Sequence, residues 1–314
     1  MKKVFFVSLI LICISNHVFS QTVSKDDNFG ENGIVPISNG GIEHLTFDEQ
    51  SNIFAFGYAD MGFPAVYKSN ANGIIEKHFG TNGVVILDEY GPSNRGKRYG
   101  IKITKENKIL IIFHVLSHYS EEPDDPPMSI IFRFNENGTP DESFGNNGEI
   151  LLDNSSILAV NTENDEYMLI AYLASYDEGN EYIQKSYISK YNYKGEIDMD
   201  FGTDGKAYIT SYQMCEFIPN SIKILKDNSI VLAGGEVTNS IVKLAFCKIN
   251  QRGHFVTDFA NNGIFVTNFY NTSWNYPKSL ENVIETSNGS LMFTGWMTKD
   301  ISGKNSASIF CVWF

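Results

Sequence analysis

The sequence lacks most of the features that mark helical, membrane-spanning, metal-binding or nucleic-acid-binding proteins. It has no long stretch of helical periodicity, so helical and α/β classes are poor fits. After residue 20 it has no apolar run of spanning length. It has no C-x-x-C and no Cys/His cluster, so no zinc site, no other metal and no cofactor is expected. Only Cys215, Cys247 and Cys311 follow residue 20; an odd number leaves at least one unpaired, and buried thiols inside strands are expected. No nucleophile motif of the G-x-S-x-G type occurs. Basic stripes are absent, and the formal net charge is −13, which excludes nucleic acid as a partner.

What is present begins with an export signal. Lys2 and Lys3 precede an apolar stretch from Val4 to Ile14, and Val18-Phe19-Ser20 offers a cleavage site before Gln21. Residues 1–20 read as a secretory signal peptide, and residues 21–314 as one domain that is exported and does not span the membrane. The chain is 42% hydrophobic and 13% aromatic, ample for a large core.

One short motif returns five times, as "DNFGENG", "KHFGTNG", "ESFGNNG", "MDFGTDG" and "TDFANNG". Its phenylalanines are Phe29, Phe79, Phe144, Phe201 and Phe259, at spacings of 50, 65, 57 and 58 residues. Its closing glycines are Gly33, Gly83, Gly148, Gly205 and Gly263. Four copies carry an acid three residues before the phenylalanine: Asp26, Glu76, Asp141 and Asp198. Two further features recur in phase. The first is a hairpin with a polar turn, such as "SIKILKDNSIVLAGG", whose second strand is apolar throughout. A strand with no polar face is covered on both sides. The second is a basic-x-Asn strand end, as in "FRFNENG" and "CKINQRG". A short strand then follows the FG turn.

Four strands per unit and five units in phase predict an all-β fold, a five-bladed β-propeller of four-stranded antiparallel blades. The last unit stops one strand short at Phe314, while "NGIVPI" near residue 33 is a spare fourth strand. The expectation is that this amino-terminal strand closes the last blade beside residues 306–314.

The pattern D-x-x-F-G-x-[ND]-G, the hairpin "LKDNSIVLAGG" and the strand "FCKINQRG" together resemble the delta-60 repeat, a bacterial β-propeller repeat of unknown function. The copies cover residues 26–314, with Glu76 and Ala260 as departures. The resemblance implies an exported or cell-surface propeller, and it brings no catalytic residues with it.

Function is expected where the repeat is broken. The variable loops are rich in aromatics: Tyr90, Tyr119, Tyr176, Trp274 and Tyr276, with His114 and Trp296 at the ends of second strands. Rings beside acids and amides suit a glycan, a peptide or a surface protein. Packing between blades competes with that reading for Trp296, and Asp198, Asp200 and Asp204 read as turn caps rather than calcium ligands. The main expectation is a binding or scaffold module with no catalytic residue. The alternative is a hydrolase or lyase acting on extracellular polysaccharide, with acids near the propeller axis. The centres of the first strands read Thr46, Lys102, Ala159, Lys223 and Ile284, which offers no such acids.

Overall fold

The computed structural model describes residues 25–37, 40–88, 98–115, 128–164, 166–178, 181–209, 216–238, 241–266, 274–301 and 304–313. Residues 1–20, read above as a signal peptide, lie outside them. Five antiparallel sheets follow one another along the chain. Sheet one is β1 (Gly41–Phe47), β2 (Ile53–Tyr58), β3 (Pro64–Ser69) and β4 (Val84–Ile86), with one 3-10 turn at Asp60–Gly62. Sheet two is β5 (Arg98–Ile103), β6 (Ile109–Val115), β7 (Met128–Phe134) and β8 (Glu149–Leu152). Sheet three is β9 (Ser155–Asn161), β10 (Tyr167–Glu178), β11 (Glu181–Asn192) and β12 (Lys206–Tyr208). Sheet four is β13 (Glu216–Ile224), β14 (Ile230–Thr238), β15 (Ile241–Ile249) and β16 (Ile264–Val266). Sheet five is β17 (Trp274–Glu285), β18 (Leu291–Ile301) and β19 (Lys304–Trp313).

The apolar second strands explain how the sheets stack. Along β6, Ile109, Ile111 and Phe113 pack with Phe54 and Phe56 of sheet one. Alternate residues Leu110 and Ile112 pack with Met168 and Ile170 of sheet three. Successive side chains of a strand point to opposite faces, so one strand feeds two cores and has no polar side. A third core joins sheets three and four around Leu169 and Leu232, and a fourth joins sheets four and five around Phe246 and Phe293. The first strands lie side by side in chain order, β1 on β5, β5 on β9, β9 on β13 and β13 on β17. This is propeller-like stacking.

The FG motif is a clasp between neighbouring sheets. Gly80 N–H donates to Asn137 O of the next sheet at 2.9 Å, Gly145 N–H to Lys194 O at 2.8 Å, and Gly202 N–H to Arg252 O at 2.8 Å. Phe79, Phe144 and Phe201 are buried in the cores between those sheets. At Gly138 the left-handed φ of +85° coincides with a close approach, because a Cβ there would stand 3.0 Å from Gly80 N and 3.1 Å from the Phe79 ring. Glycine at the N-x-x-G turn therefore serves both its own turn and its neighbour's clasp.

The amino-terminal copy is half of what the sequence leads one to expect. Gly30 N–H donates to Asn72 O at 2.7 Å, so the Phe29 turn clasps sheet one as the Phe79 turn clasps sheet two. The strand after it does not form. Residues 34–37 join no sheet, and sheet five has three strands among the described residues. Pro36 stands where sheet one has Ile86 of β4, and a proline offers a ladder no N–H. One face of sheet one is correspondingly bare. Leu45 and Phe47 are each 59% exposed, whereas Ile222 and Val283, which match Leu45 in register, are buried.

Candidate axial site

The first strands share a feature that alternation does not reveal. In each, the register with the second strand slips by one residue at the same level. Sheet one skips Glu43, between Ile42 opposite Gly57 and His44 opposite Phe56. Sheet two skips Tyr99, between Arg98 opposite Phe113 and Gly100 opposite Ile112. Sheet three skips Leu158, sheet four Asn220 and sheet five Glu281. The residues opposite the resumed ladder, Phe56, Ile112, Ala171, Ala233 and Thr294, hold the same place in the five second strands. A β-bulge frees one residue from the ladder and re-aims the chain, and bulges cluster beside functional sites.

A cavity of about 450 Å³ lies among the first strands β1, β5, β9 and β13. At the level of the bulges it is lined by His44, Gly100, Leu158, Asn220 and Ser221. Below them it is lined by Lys102, Asn161 and Glu163. Its walls are thus the inner edge of the sheet stack, where a propeller has its axis.

The lower polar groups are already committed to joining sheets. Lys102 Nζ donates to Thr162 O, to Asn164 O at 3.3 Å and to Tyr193 Oη at 3.0 Å. It also stands 5.2 Å from the Tyr193 ring centroid. Asn161 Nδ2 donates to Ile222 O at 3.1 Å, and Lys223 Nζ meets Glu163 Oε2 at 2.6 Å. Lys102, Asn161 and Lys223 are opposite Leu110, Leu169 and Val231, so they occupy one position in three consecutive sheets. Ala159, read as the third member from the sequence, is two residues off, because the longer turn of the third hairpin displaces the alignment. Glu163 is the lone acid lining the cavity among the described residues, and Lys223 holds it.

The aromatic candidates scatter over three sheets. Tyr90 and Tyr119 lie outside the described residues. Trp274 and Tyr276 belong to strand β17, with Trp274 opposite Lys299, rather than to an entering loop. Tyr176 is likewise in strand, because β10 continues to Glu178 and pairs with β11 out to Glu181. His114 is opposite Ser129 in sheet two, and Trp296 is opposite Ile309 in sheet five. The closing glycines Gly33, Gly83, Gly148, Gly205 and Gly263 all have left-handed φ, between +78° and +99°.

Among the described residues no three His, Cys, Asp or Glu side chains group closely enough to hold a metal ion. Asp198 accepts from Lys190 Nζ at 2.8 Å and from Asp200 N–H at 3.1 Å, and the Lys190 bond leads the interactions that lower its pKa. Cys247 is buried, and burial pushes its thiol pKa up. No described helix is long and apolar enough to cross a membrane.

No family model and no curated protein sequence matches the chain. Solved structures do. The polysaccharide lyase Uly1 is 9% identical with a TM-score of 0.50, over 96% of this chain and 74% of its own. An endo-arabinase from Bacteroides thetaiotaomicron is 10% identical with a TM-score of 0.38, over 88% of this chain and 95% of its own. A PL25 ulvan lyase is 10% identical with a TM-score of 0.37, over 88% and 86%. At this identity the likeness to Uly1 is one of fold, and it supports an all-β, propeller-like stack of antiparallel sheets.

Proposed function

We propose that this chain is an exported polysaccharide-cleaving protein that works at the axial cavity. In this reading the five sheets close into a five-bladed propeller, and closure brings Glu43, which stands outside the present cavity lining, together with Glu281 as its carboxylate pair. The observation that carries the proposal is the bulge repeated at one register in every first strand, beside a cavity of about 450 Å³. Hydrolysis of a glycosidic bond takes two carboxyl groups. One protonates the leaving oxygen, while the other activates water or attacks the sugar carbon. The bulge layer offers two glutamates, and Asn220 adds an amide for sugar hydroxyls. Glu163 follows β9 below the bulge layer, where Lys223 Nζ meets it at 2.6 Å, and is not one of the pair.

Closure puts sheet five beside sheet one, and therefore Glu281 and Glu43 on neighbouring strands of the axis. Two observations support closure: the Phe29 turn already clasps sheet one, and Leu45 and Phe47 leave an apolar face for a neighbour to cover. Under the same proposal the repeat is of the delta-60 type, and residues 1–20 direct export. A polysaccharide lyase of similar fold makes a carbohydrate substrate the first to try.

Elimination at a uronate is the second reading, favoured by His44 in the cavity wall. That reaction needs a base for the ring proton rather than two carboxylates. Incubation with neutral and uronate polysaccharides separates the readings. Hydrolysis yields new reducing ends alone, whereas elimination also yields ultraviolet-absorbing unsaturated ends. Glu43→Gln and Glu281→Gln are each expected to lower kcat by about a hundredfold or more under the hydrolytic reading. Unchanged rates in both variants, or no cleavage across the panel, overturn it.

A further inference from the structure

Sheet three departs from its neighbours in one way that the axial site does not use. Tyr172 of β10 is opposite Tyr187 of β11, and Tyr187 is opposite Tyr208 of β12. Three tyrosines therefore form a row across the sheet. Tyr176 lies four residues beyond Tyr172, on the same face. The rings are in contact along the row: centroids are 5.9 Å apart for Tyr172 and Tyr187, 5.6 Å for Tyr187 and Tyr208, and 6.5 Å for Tyr187 and Tyr176. The row runs from the core to the surface. Tyr172 is 3% exposed, Tyr176 38% and Tyr208 46%.

The repeat supplies a baseline for deciding whether this row is structural. At the position of Tyr187, sheets one, two and four carry Ala65, Ile130 and Ala245. At the position of Tyr208 they carry Ile86, Leu151 and Val266. The fold is built in three sheets without an aromatic at either place. Leu110, Ile112 and Ile131 of the facing sheet pack around Tyr172 at the base of the face.

Charge accompanies the rings. Lys185 Nζ is 6.0 Å from the Tyr176 ring centroid, and Lys206, exposed on β12, is two residues before Tyr208 on the same face. Both are cations on a chain of net charge −13. Rigid, amphipathic rings with exposed faces suit the apolar side of a pyranose, and ammonium groups beside them suit its carboxylate or sulfate.

We propose that Tyr176, Tyr187 and Tyr208, with Lys185 and Lys206, form a docking strip for an anionic polysaccharide chain on the outer part of sheet three. The strip rests on the polysaccharide reading above and is separate from the axial cavity. It holds a polymer near the protein while the axial site acts on another part of the chain. Burial raises the Tyr176 phenol, and the hydrogen bond with Tyr187 raises it further, to about 12, so the Tyr176 ring stays neutral on a working surface.

Affinity electrophoresis of the whole protein in gels containing polygalacturonate tests the strip, with dextran as the neutral control. The parent should be retarded by polygalacturonate and much less by dextran. The double substitution Tyr176→Ala with Tyr208→Ala removes exposed rings only, and should weaken polygalacturonate binding about tenfold or more. Tyr208→Phe should bind as the parent does, because stacking does not need the hydroxyl. Lys185→Gln with Lys206→Gln should weaken the uronate polymer and leave dextran unchanged. A folded double tyrosine variant that binds as tightly as the parent overturns the strip, and so does equal retardation by dextran. Binding that depends on Tyr176 and Tyr208 in a protein with no cleavage activity sustains the strip and removes the axial reading. Loss of cleavage in Glu43→Gln with binding intact sustains both.

Discussion

The buried ion cluster on sheet two offers the sharpest test of how the units are joined. Asp141, the acid of the third FG motif, has a side chain only 7% exposed. Its Oδ2 meets Arg133 Nε at 2.9 Å and Lys108 Nζ at 3.1 Å, while Oδ1 accepts from Ser143 Oγ at 2.7 Å. Arg133 reaches on to sheet three. It donates to Tyr193 O, and its guanidinium lies 4.8 Å from the Phe144 ring centroid. Burial pushes the Asp141 carboxyl up, but the Ser143 and Lys108 hydrogen bonds and the Arg133 charge outweigh it, and the pKa falls to about 2 from 3.8.

A carboxyl whose folded pKa is depressed stabilises the fold above its unfolded pKa. That contribution is lost as pH falls through the folded value. The shift converts to about 2 kcal/mol, present at pH 7 and lost between about pH 4 and pH 2. Asp141→Asn removes the charge at all pH values and leaves Arg133 buried beside a neutral amide. Breaking a buried pair costs about 3–5 kcal/mol, and Arg133 keeps Tyr193 O, Ser143 and the Phe144 ring, so about 2–4 kcal/mol is expected at pH 7. Urea unfolding at pH 7 and pH 3 measures both parts. The variant should be weaker at pH 7 and should lose less than the parent on acidification. A variant within about 0.5 kcal/mol of the parent at pH 7, or one with the same acid sensitivity, would refute the reasoning.

Three further outcomes are expected. Gly138→Ala forces a left-handed φ on a residue whose Cβ would stand 2.6 Å from Val85 Cγ2 and 3.0 Å from Gly80 N, and thermal unfolding should report a loss of about 2–3 kcal/mol. Leu45→Asp should cost about 2 kcal/mol in urea unfolding if sheet five covers that face in solution; a loss under about 0.5 kcal/mol, the usual size at an exposed site, would sink ring closure. Cys247 is buried with a raised thiol pKa, so iodoacetamide should leave it unlabelled in the native protein and label it once urea unfolds the chain.

Which parts of this molecule are legible in the sequence follows from what each residue must satisfy. The second strands are plain because Ile109 to Phe113 feed two cores, and that requirement strips them of polar residues. The FG motif is plain because a left-handed turn and a clasp against the next sheet both demand small residues at fixed places. The bulges leave no such trace. A skipped residue needs no particular chemistry to leave a ladder, so Glu43, Tyr99, Leu158, Asn220 and Glu281 share a position without sharing a type. Their only trace is a slip in alternation, which short half-polar first strands hide. Tyr176 shows the opposite error. The polar run after it, "DEGNE", reads as loop, yet twelve residues of β10 pair with β11 because backbone bonds hold a hairpin whatever its tip contains. The amino-terminal turn shows how far local pattern reaches. Its Phe29 clasp forms because its partner, Asn72, is supplied by the adjoining sheet. In the proposed ring the strand after it takes its partner from sheet five, and a sequence motif does not carry that pairing. The pattern is complete but the pairing is not where the proposed ring joins sheets five and one, which is also where the proposed carboxylate pair assembles.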